Sequence, residues 1–362
     1  MLVLKRGHKM SKEALVIGVT GITGNNIAQE LLKQGFTVHG LSRKPGIVIP
    51  GVHHIYADVL DVSSVKKAIA GLAITHLFFC TWSRQATEAE NCDVNGAMIE
   101  NTLTALRDTQ TLQHACLITG LKHYLGPFEA YAATPMETPF KESQNRLPIQ
   151  NFYYVQEDIL FKHAAERNFT WSVHRPHTMI GYALGNAMNM GVTLAVYASL
   201  CKETGAPFIF PGSTEQFNGV TDVTDARLLA RHAVWSSTDP AGKNQAFNTV
   251  NGDVFRWRQL WKSIADYFGI ADPGYPAQQS PLEPRMAHAD QQWATIVSKY
   301  GLVNHKASEI ASWWHTDADL GRQVETFADM GKSRKAGFTD VQVTLDSFTD
   351  LFDRLRREKI IP

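Results

Sequence analysis

The sequence predicts an α/β protein: a doubly wound parallel sheet followed by a smaller, mostly helical C-terminal region. Three features predict it. Short apolar, β-rich runs alternate with longer amphipathic stretches from residue 14 onward. Runs such as LFFC at residues 77–80 and ACLIT at 115–119 lack the polar alternation of a half-exposed strand, which suits strands covered by helices on both faces. The rhythm changes after Pro176.

In order, the pattern gives a strand at 14–19, a helix at 25–35, strands at 36–43 and 52–58, a helix at 64–71 and a strand at 75–82. A helix at 97–109, a strand at 115–120, a helix at 152–167 and a strand at 170–176 follow. Beyond them, residues 178–201 are a long apolar, Met-containing stretch and 207–213 carry Pro and Gly. Residues 222–237 are helix-like, and 245–253 give one more strand and turn. Trp-rich helical stretches at 255–269, 291–301 and 310–320 have no strand between them and resemble a helical cap, with a Pro- and Gln-rich loop at 272–287.

Composition narrows the function classes. The 362 residues are 44% hydrophobic and 19% charged, an ordinary globular mix that disfavours disordered, collagen-like and coiled-coil readings. Lys+Arg 35 balance Asp+Glu 35, so the basic excess expected of a nucleic-acid or anionic-membrane binder is missing. Small molecules are the expected partners. Cys80, Cys92, Cys116 and Cys201 form no CxxC pair, which fits reduced thiols in the cytoplasm. No apolar run reaches the ~18–20 residues of a membrane-spanning helix. The 14 histidines make no HExxH or Cys/His cluster, so no metal is expected, and no GxSxG elbow points to a serine hydrolase.

Gly18-Val-Thr-Gly21-Ile-Thr-Gly24 leaves a strand and enters a helix. In that setting the first glycine permits a tight turn. The second lets backbone N–H groups approach a pyrophosphate, and the third lets helix and strand pack closely. Thr20 and Ile22 lie between these glycines and share the expected site. A NAD-preferring site would carry an acidic residue at the end of the second strand. This chain instead has Ser42, Arg43 and Lys44, donors and charges suited to a 2′-phosphate, so NADPH/NADP+ is the expected cofactor. Asp58, followed by Val59, is placed to accept from the adenine amino group, and Thr81 and Trp82 to flank the ribose or nicotinamide. The expected organisation is therefore a tail at residues 1–12, an NADP-binding Rossmann-like domain at 13–180 and a substrate-binding region at 181–362. Residues 215–250 are expected to return to the Rossmann core.

Short-chain dehydrogenases usually present Tyr-x-x-x-Lys on one helix, where the ammonium lowers the phenol's pKa. Here Glu157 and Asp158 stand four residues after Tyr153 and Tyr154, so the cation has to come from elsewhere. Lys122, just past the C-terminal end of a strand, is the candidate; solvated surface is the alternative at that position.

Gly18 to Asn25, Glu90-Asn91-Cys92 with Asn95-Gly96, the block LKHYLGPF at 121–128, NFYYxxED at 151–158, His174-Arg175-Pro176 and Phe247-Asn248 together resemble the progesterone 5β-reductase/iridoid synthase-like enone reductases. These form the PRISE group of atypical extended short-chain dehydrogenase/reductases. The resemblance spans nearly the whole chain from Ala14. It implies 1,4-reduction of an activated C=C bond in an enone or enal: NADPH hydride to the β-carbon, the enolate oxygen held by Tyr154 with electrostatic support from Lys122, and α-carbon protonation left to water. Tyr153 is expected as a packing neighbour. Phe128 falls on the family's pocket aromatic, and His315 stands where plant members carry an aromatic beside two tryptophans, which makes a smaller cyclic enone or linear enal as plausible a substrate as a steroid. Met188, Asn189 and Met190 are candidates for the same pocket, Met190 foremost, with core packing the favoured alternative. Two alternatives stay open: 1,2-reduction of a carbonyl by the same pair, and a non-catalytic NADP(H) sensor. A homodimer is compatible with either.

Overall fold

The computed structural model describes residues 12–127 and 137–362. Nine strands follow along the chain: β1 (Glu13–Ile17), β2 (Thr37–Ser42), β3 (Val52–Tyr56), β4 (His76–Phe79), β5 (His114–Ile118), β6 (Thr170–Pro176), β7 (Met179–Ile180), β8 (Thr224–Asp225) and β9 (Gln245–Thr249). Seven of them form one parallel sheet in the order β3-β2-β1-β4-β5-β6-β9, and β7 pairs with β8 beside it. The chain winds one way from β1 to β3 and the other way from β4 to β6. The crevice at that reversal is where open α/β sheets take ligands.

Helices cover both faces. α1 (Ile22–Lys33) and α8 (Ala226–Thr238) pack on one, α2 (Val62–Ala68), α3 (Glu88–Ala105) and α5 (Phe152–Arg167) on the other, and α4 (Lys122–Leu125), α6 (Met190–Thr204) and α7 (Thr214–Asn218) lie outside these two layers. Strand side chains alternate sides with period two. Ala14, Val16 and Phe78 therefore meet Ile27 and Leu31 of α1 and Ala230, Ala233 and Val234 of α8. Leu15, Ile17, Leu77 and Phe79 meet Val65 of α2, Met98 and Leu103 of α3 and Leu160 of α5. Since both faces are dry, the strands read as continuous apolar runs. α8 and β9, late in the chain, are part of this layer.

A second core is built around α6, which is buried along most of its length. The helix Trp257–Phe268 turns Trp257, Leu260, Trp261, Ile264 and Phe268 to one side, a spacing of three and four residues that matches a buried stripe. Trp261 stacks on Phe208 at 4.2 Å and donates its indole N–H to the Phe208 carbonyl at 2.9 Å. This core holds the C-terminal region against β7 and the mouth of the crevice. Among the described residues no helix is long and apolar enough to cross a membrane.

Beneath α8 the sheet buries a chain of polar groups. His114 Nε2 meets Ser172 Oγ at 3.0 Å, and Ser236 Oγ donates to Ser172 Oγ at 3.1 Å. His174 Nε2 meets Ser236 Oγ at 2.8 Å, and His174 and His232 share Thr249 Oγ1 at 3.1 and 2.9 Å through their Nδ1 atoms. Burial disfavours the charged imidazolium at each of these histidines. It holds His174 down to about 3 and His76 to about 4, and His114 and His232 well below the ordinary value. In the unfolded chain they protonate below about pH 6.5, so stability is complete above that pH and is lost as pH falls from 6.5 toward 3. Each group costs up to about 1.4 kcal/mol per pH unit in that window. Urea midpoints are expected to be flat from pH 8 to 7 and to fall steeply between pH 6.5 and 5; a flat profile across the lower window would refute this account.

Candidate functional site

A cleft of about 790 Å3 opens at the C-terminal ends of β1, β2 and β4. Gly18, at φ +80°, turns the chain out of β1; Gly24 then brings α1 against that turn so closely that a Cβ would stand 2.2 Å from the Gly18 carbonyl oxygen. α1 starts with Gly21 as its N-cap, has no side-chain cap and no acidic residue in its first turn. Its first N–H groups therefore have no intrahelical acceptor, and Gly21, Ile22 and Thr23 all line the cleft. That is a cradle for a pyrophosphate.

Most of the expected cofactor residues come together here: Gly18, Thr20, Gly21, Ile22, Ser42, Arg43, Asp58, Val59, Thr81 and Trp82 line the cleft. Two do not. Gly24 acts through packing alone, and Lys44 is exposed outside the lining, where its carbonyl accepts from the Ser42 hydroxyl at 2.8 Å. Arg43 is exposed at the rim. The Asp58 carboxylate accepts from the Leu60 N–H at 3.0 Å, which fixes its turn.

The loop after β4 is held by α3. Asn95, fully buried, accepts from the Ser83 N–H at 2.7 Å and donates to the Ser83 carbonyl at 2.9 Å; one turn earlier, Asn91 accepts from the Gln85 N–H at 2.8 Å. This pair of clamps gives the Asn91 and Asn95 spacing its physical meaning. They present Trp82 and Arg84 to the cleft, and the Arg84 guanidinium lies 4.3 Å from the Trp314 ring across the mouth.

Trp82 stacks on Phe152 at 5.3 Å. The Phe152 ring in turn lies 4.3 Å from the Tyr153 ring and 4.5 Å from Lys122 Nζ. Lys122 and Tyr153 thus meet one aromatic ring beside the cleft, although neither is among its described lining residues. The Tyr153 hydroxyl points to the turn after β5: a Cβ at Gly120 would meet it at 3.2 Å and the Pro176 carbonyl oxygen at 3.4 Å. Asn151 ties the two helices, accepting from the Tyr153 N–H at 3.0 Å and donating to the Lys122 carbonyl at 2.8 Å.

The expected role of Tyr154 does not hold. Its hydroxyl donates to the His123 carbonyl at 2.5 Å and accepts from the Leu147 N–H at 3.0 Å, so it is spent on the backbone. Burial pushes its pKa up, as does the charge on Glu157. Adjacent residues on a helix point about 100° apart, and only one of the two tyrosines can face the sheet edge. The carboxylate that replaces the usual lysine is structural as well. Burial opposes the charge of Glu157, yet hydrogen bonding to His123 and the nearby Arg175 and Arg146 win and bring it down to about 2.

The C-terminal region contributes Met179, Tyr182, Ala183, Leu184, Met188 and Trp314 to the cleft. Met190 belongs instead to the second core at 1% exposure, because it opens α6 with its side chain directed inward. His315 is also absent from the described lining; it is buried beside Asp319, 3.8 Å away, and its neighbour Trp314 takes the place on the wall. Phe128 lies outside the described residues.

Residues 48–362 match the PRISE-like Rossmann-fold domain. The chain belongs to the PRISE family. This PRISE protein is 40% identical to (S)-8-oxocitronellyl enol synthase ISY1 of Nepeta cataria and 39% identical to a 3-oxo-Delta(4,5)-steroid 5-beta-reductase of Arabidopsis thaliana, each alignment covering 96% of this chain and 93% of the relative. Among solved structures it is similar to UDP-glucose 4-epimerase from Thermotoga maritima, with TM-score 0.68 at 14% identity over 95% of this chain and 99% of that one. That likeness concerns the fold.

In the PRISE chain, Thr23, Ser83, Arg84, Asn186 and Trp314 also line the cleft, beyond the expected cofactor and substrate residues. Met188 and Asn95 stood in motifs visible in the sequence, whereas nothing there marked Asn186. Because the Tyr154 hydroxyl satisfies the buried His123 carbonyl and the half-buried Leu147 N–H, Tyr154→Phe is expected to lower stability by about 1–3 kcal/mol in urea unfolding. A variant as stable as the parent would show that these bonds are dispensable.

Proposed function

We propose that the protein is an NADPH-dependent reductase of activated C=C bonds in small enones or enals, and that Tyr153, with Lys122, serves the carbonyl oxygen. The observation that carries this is the placement of both groups on one aromatic ring, Phe152, backed by the cleft-lining Trp82. The relatives' names support the reaction class. One is named for an enol product, and the other for a steroid whose 3-oxo group is conjugated with a 4,5 double bond.

When bound, the reduced nicotinamide supplies hydride for the substrate's β-carbon. The chain has to bind the dinucleotide, orient the enone and stabilise charge that builds on the carbonyl oxygen. The glycine turn and the first turn of α1 hold the pyrophosphate, and Arg43 at the rim of β2 pairs with the 2′-phosphate. Tyr153 O–H donates to the enolate oxygen as it forms. The Lys122 ammonium, 4.5 Å from the Phe152 ring, favours that negative charge electrostatically. Met179, Tyr182, Met188 and Trp314 give the substrate an apolar wall with little polar discrimination, which suits a compact hydrophobic enone.

With 2-cyclohexen-1-one or a linear enal as probe, NADPH is expected to be consumed with release of the saturated carbonyl compound; an allylic alcohol as sole product would overturn the 1,4-reduction. Tyr153→Phe is expected to lose on the order of 10²–10³ in kcat while keeping NADPH affinity, and Tyr154→Phe to stay within a few-fold of the parent. The reverse ranking would return the role to Tyr154. For the cofactor, Arg43→Ala is expected to weaken NADPH binding by about 10- to 100-fold with NADH binding little changed. An unchanged ratio of the two dissociation constants would remove Arg43 from the 2′-phosphate site.

A further inference from the structure

Glu88 opens α3, yet its carboxylate does not serve that helix's own cap: Thr87 and Glu90 form a reciprocal capping pair there. Instead it reaches across to the corner beside the cleft. One oxygen, Oε2, lies 2.6 Å from Lys122 Nζ and accepts from Asn91 Nδ2 at 3.0 Å; the other, Oε1, accepts from the Phe152 backbone N–H at 2.9 Å. The side chains of Glu88 and Lys122 are each 13% exposed. At that burial the pair is far less screened than a surface ion pair.

Three elements therefore meet on one carboxylate. α3 supplies Glu88 and, through Asn91, the loop that carries Trp82 and Arg84; α4 supplies Lys122; and the first turn of α5 supplies the N–H of Phe152, the residue before Tyr153. Among the described residues, the titratable groups near Lys122 are Glu88 and Cys92 from α3 and Tyr153 from α5. His123, next on α4, is turned toward Glu157. Glu88 is in direct contact with the ammonium.

We propose that Glu88 is a positioning residue: its carboxylate holds the Lys122 ammonium and the N-terminal turn of α5 in fixed register, so that the lysine and Tyr153 act together on the substrate oxygen. This rests on the proposed roles of Tyr153 and Lys122, and it adds a group that touches neither substrate nor cofactor. A carboxylate at this distance favours the charged form of lysine and disfavours the phenolate of a nearby tyrosine. Its removal moves both titrations in the same direction, to lower pH.

Glu88→Gln is nearly isosteric and keeps an acceptor for the Phe152 N–H, so the fold is expected to survive; a melting temperature and an NADPH dissociation constant near the parent's check that. Two readouts then test the proposal in full-length protein. With NADPH and 2-cyclohexen-1-one, kcat is expected to fall about tenfold or more, with the alkaline limb of its pH profile displaced downward by about one unit. In protein carrying 13Cε-labelled lysine, with Lys122 assigned by comparison with Lys122→Arg, the Lys122 resonance is expected to titrate about one unit lower in Glu88→Gln than in the parent. An unmoved lysine titration overturns the proposal whatever the activity, and a moved titration with kcat and its pH profile unchanged overturns the positioning role. If the parent turns over no enone at all, the enone-reductase reading falls while the resonance still decides whether Glu88 governs Lys122.

Discussion

Because the central strands of the main sheet are sandwiched between helices, their side chains are committed to packing, and chemistry is confined to the segments leaving the strands' C-terminal ends. The cleft walls confirm the division of labour. Gly18 to Thr23, Ser42 with Arg43, Asp58 with Val59, and Thr81 to Arg84 all follow or end strands β1 to β4. Polar groups caught inside the sandwich need one another, and His114, Ser172, Ser236, His174, Thr249 and His232 are linked side chain to side chain. The histidines stay neutral because burial gives them no alternative.

The same rule explains how the functional corner is fastened. Loops at a sheet edge lack the ladder that fixes strands, so their backbone groups need side-chain partners. Asn95 serves Ser83 on both its N–H and its carbonyl, Asn91 serves Gln85, Asn151 bridges α4 and α5, and Tyr154 serves His123 and Leu147. Residues that look catalytic by type are thereby drawn into scaffolding. Tyr154 is the clearest case, and Glu157, anchored by Arg146 and Arg175, is another.

This is also where legibility in the sequence ended. The βαβ rhythm, the glycine turn and the cations at the end of β2 announce themselves through local spacing, since each feature reflects contacts within some twenty residues. The choice between Tyr153 and Tyr154 does not, because it depends on which way α5 is rotated against α4 and β6. Met190 and His315 lie off the described wall for the same reason: each sits one or two positions from a residue that does line it, Met188 and Trp314, and the helix phase is set by packing in the second core. Asn186 carries no local signal, being brought to the glycine turn by tertiary structure alone.

The Arg84 and Trp314 contact spans the mouth of the cleft, joining the loop after β4 to the C-terminal helices. A cation lying over an indole at an exposed site is worth roughly 0.5–1 kcal/mol, less than twice the thermal energy. A solute entering there passes a guanidinium and an indole that belong to opposite walls, so the threshold is itself a joint between the sheet loops and the helical region.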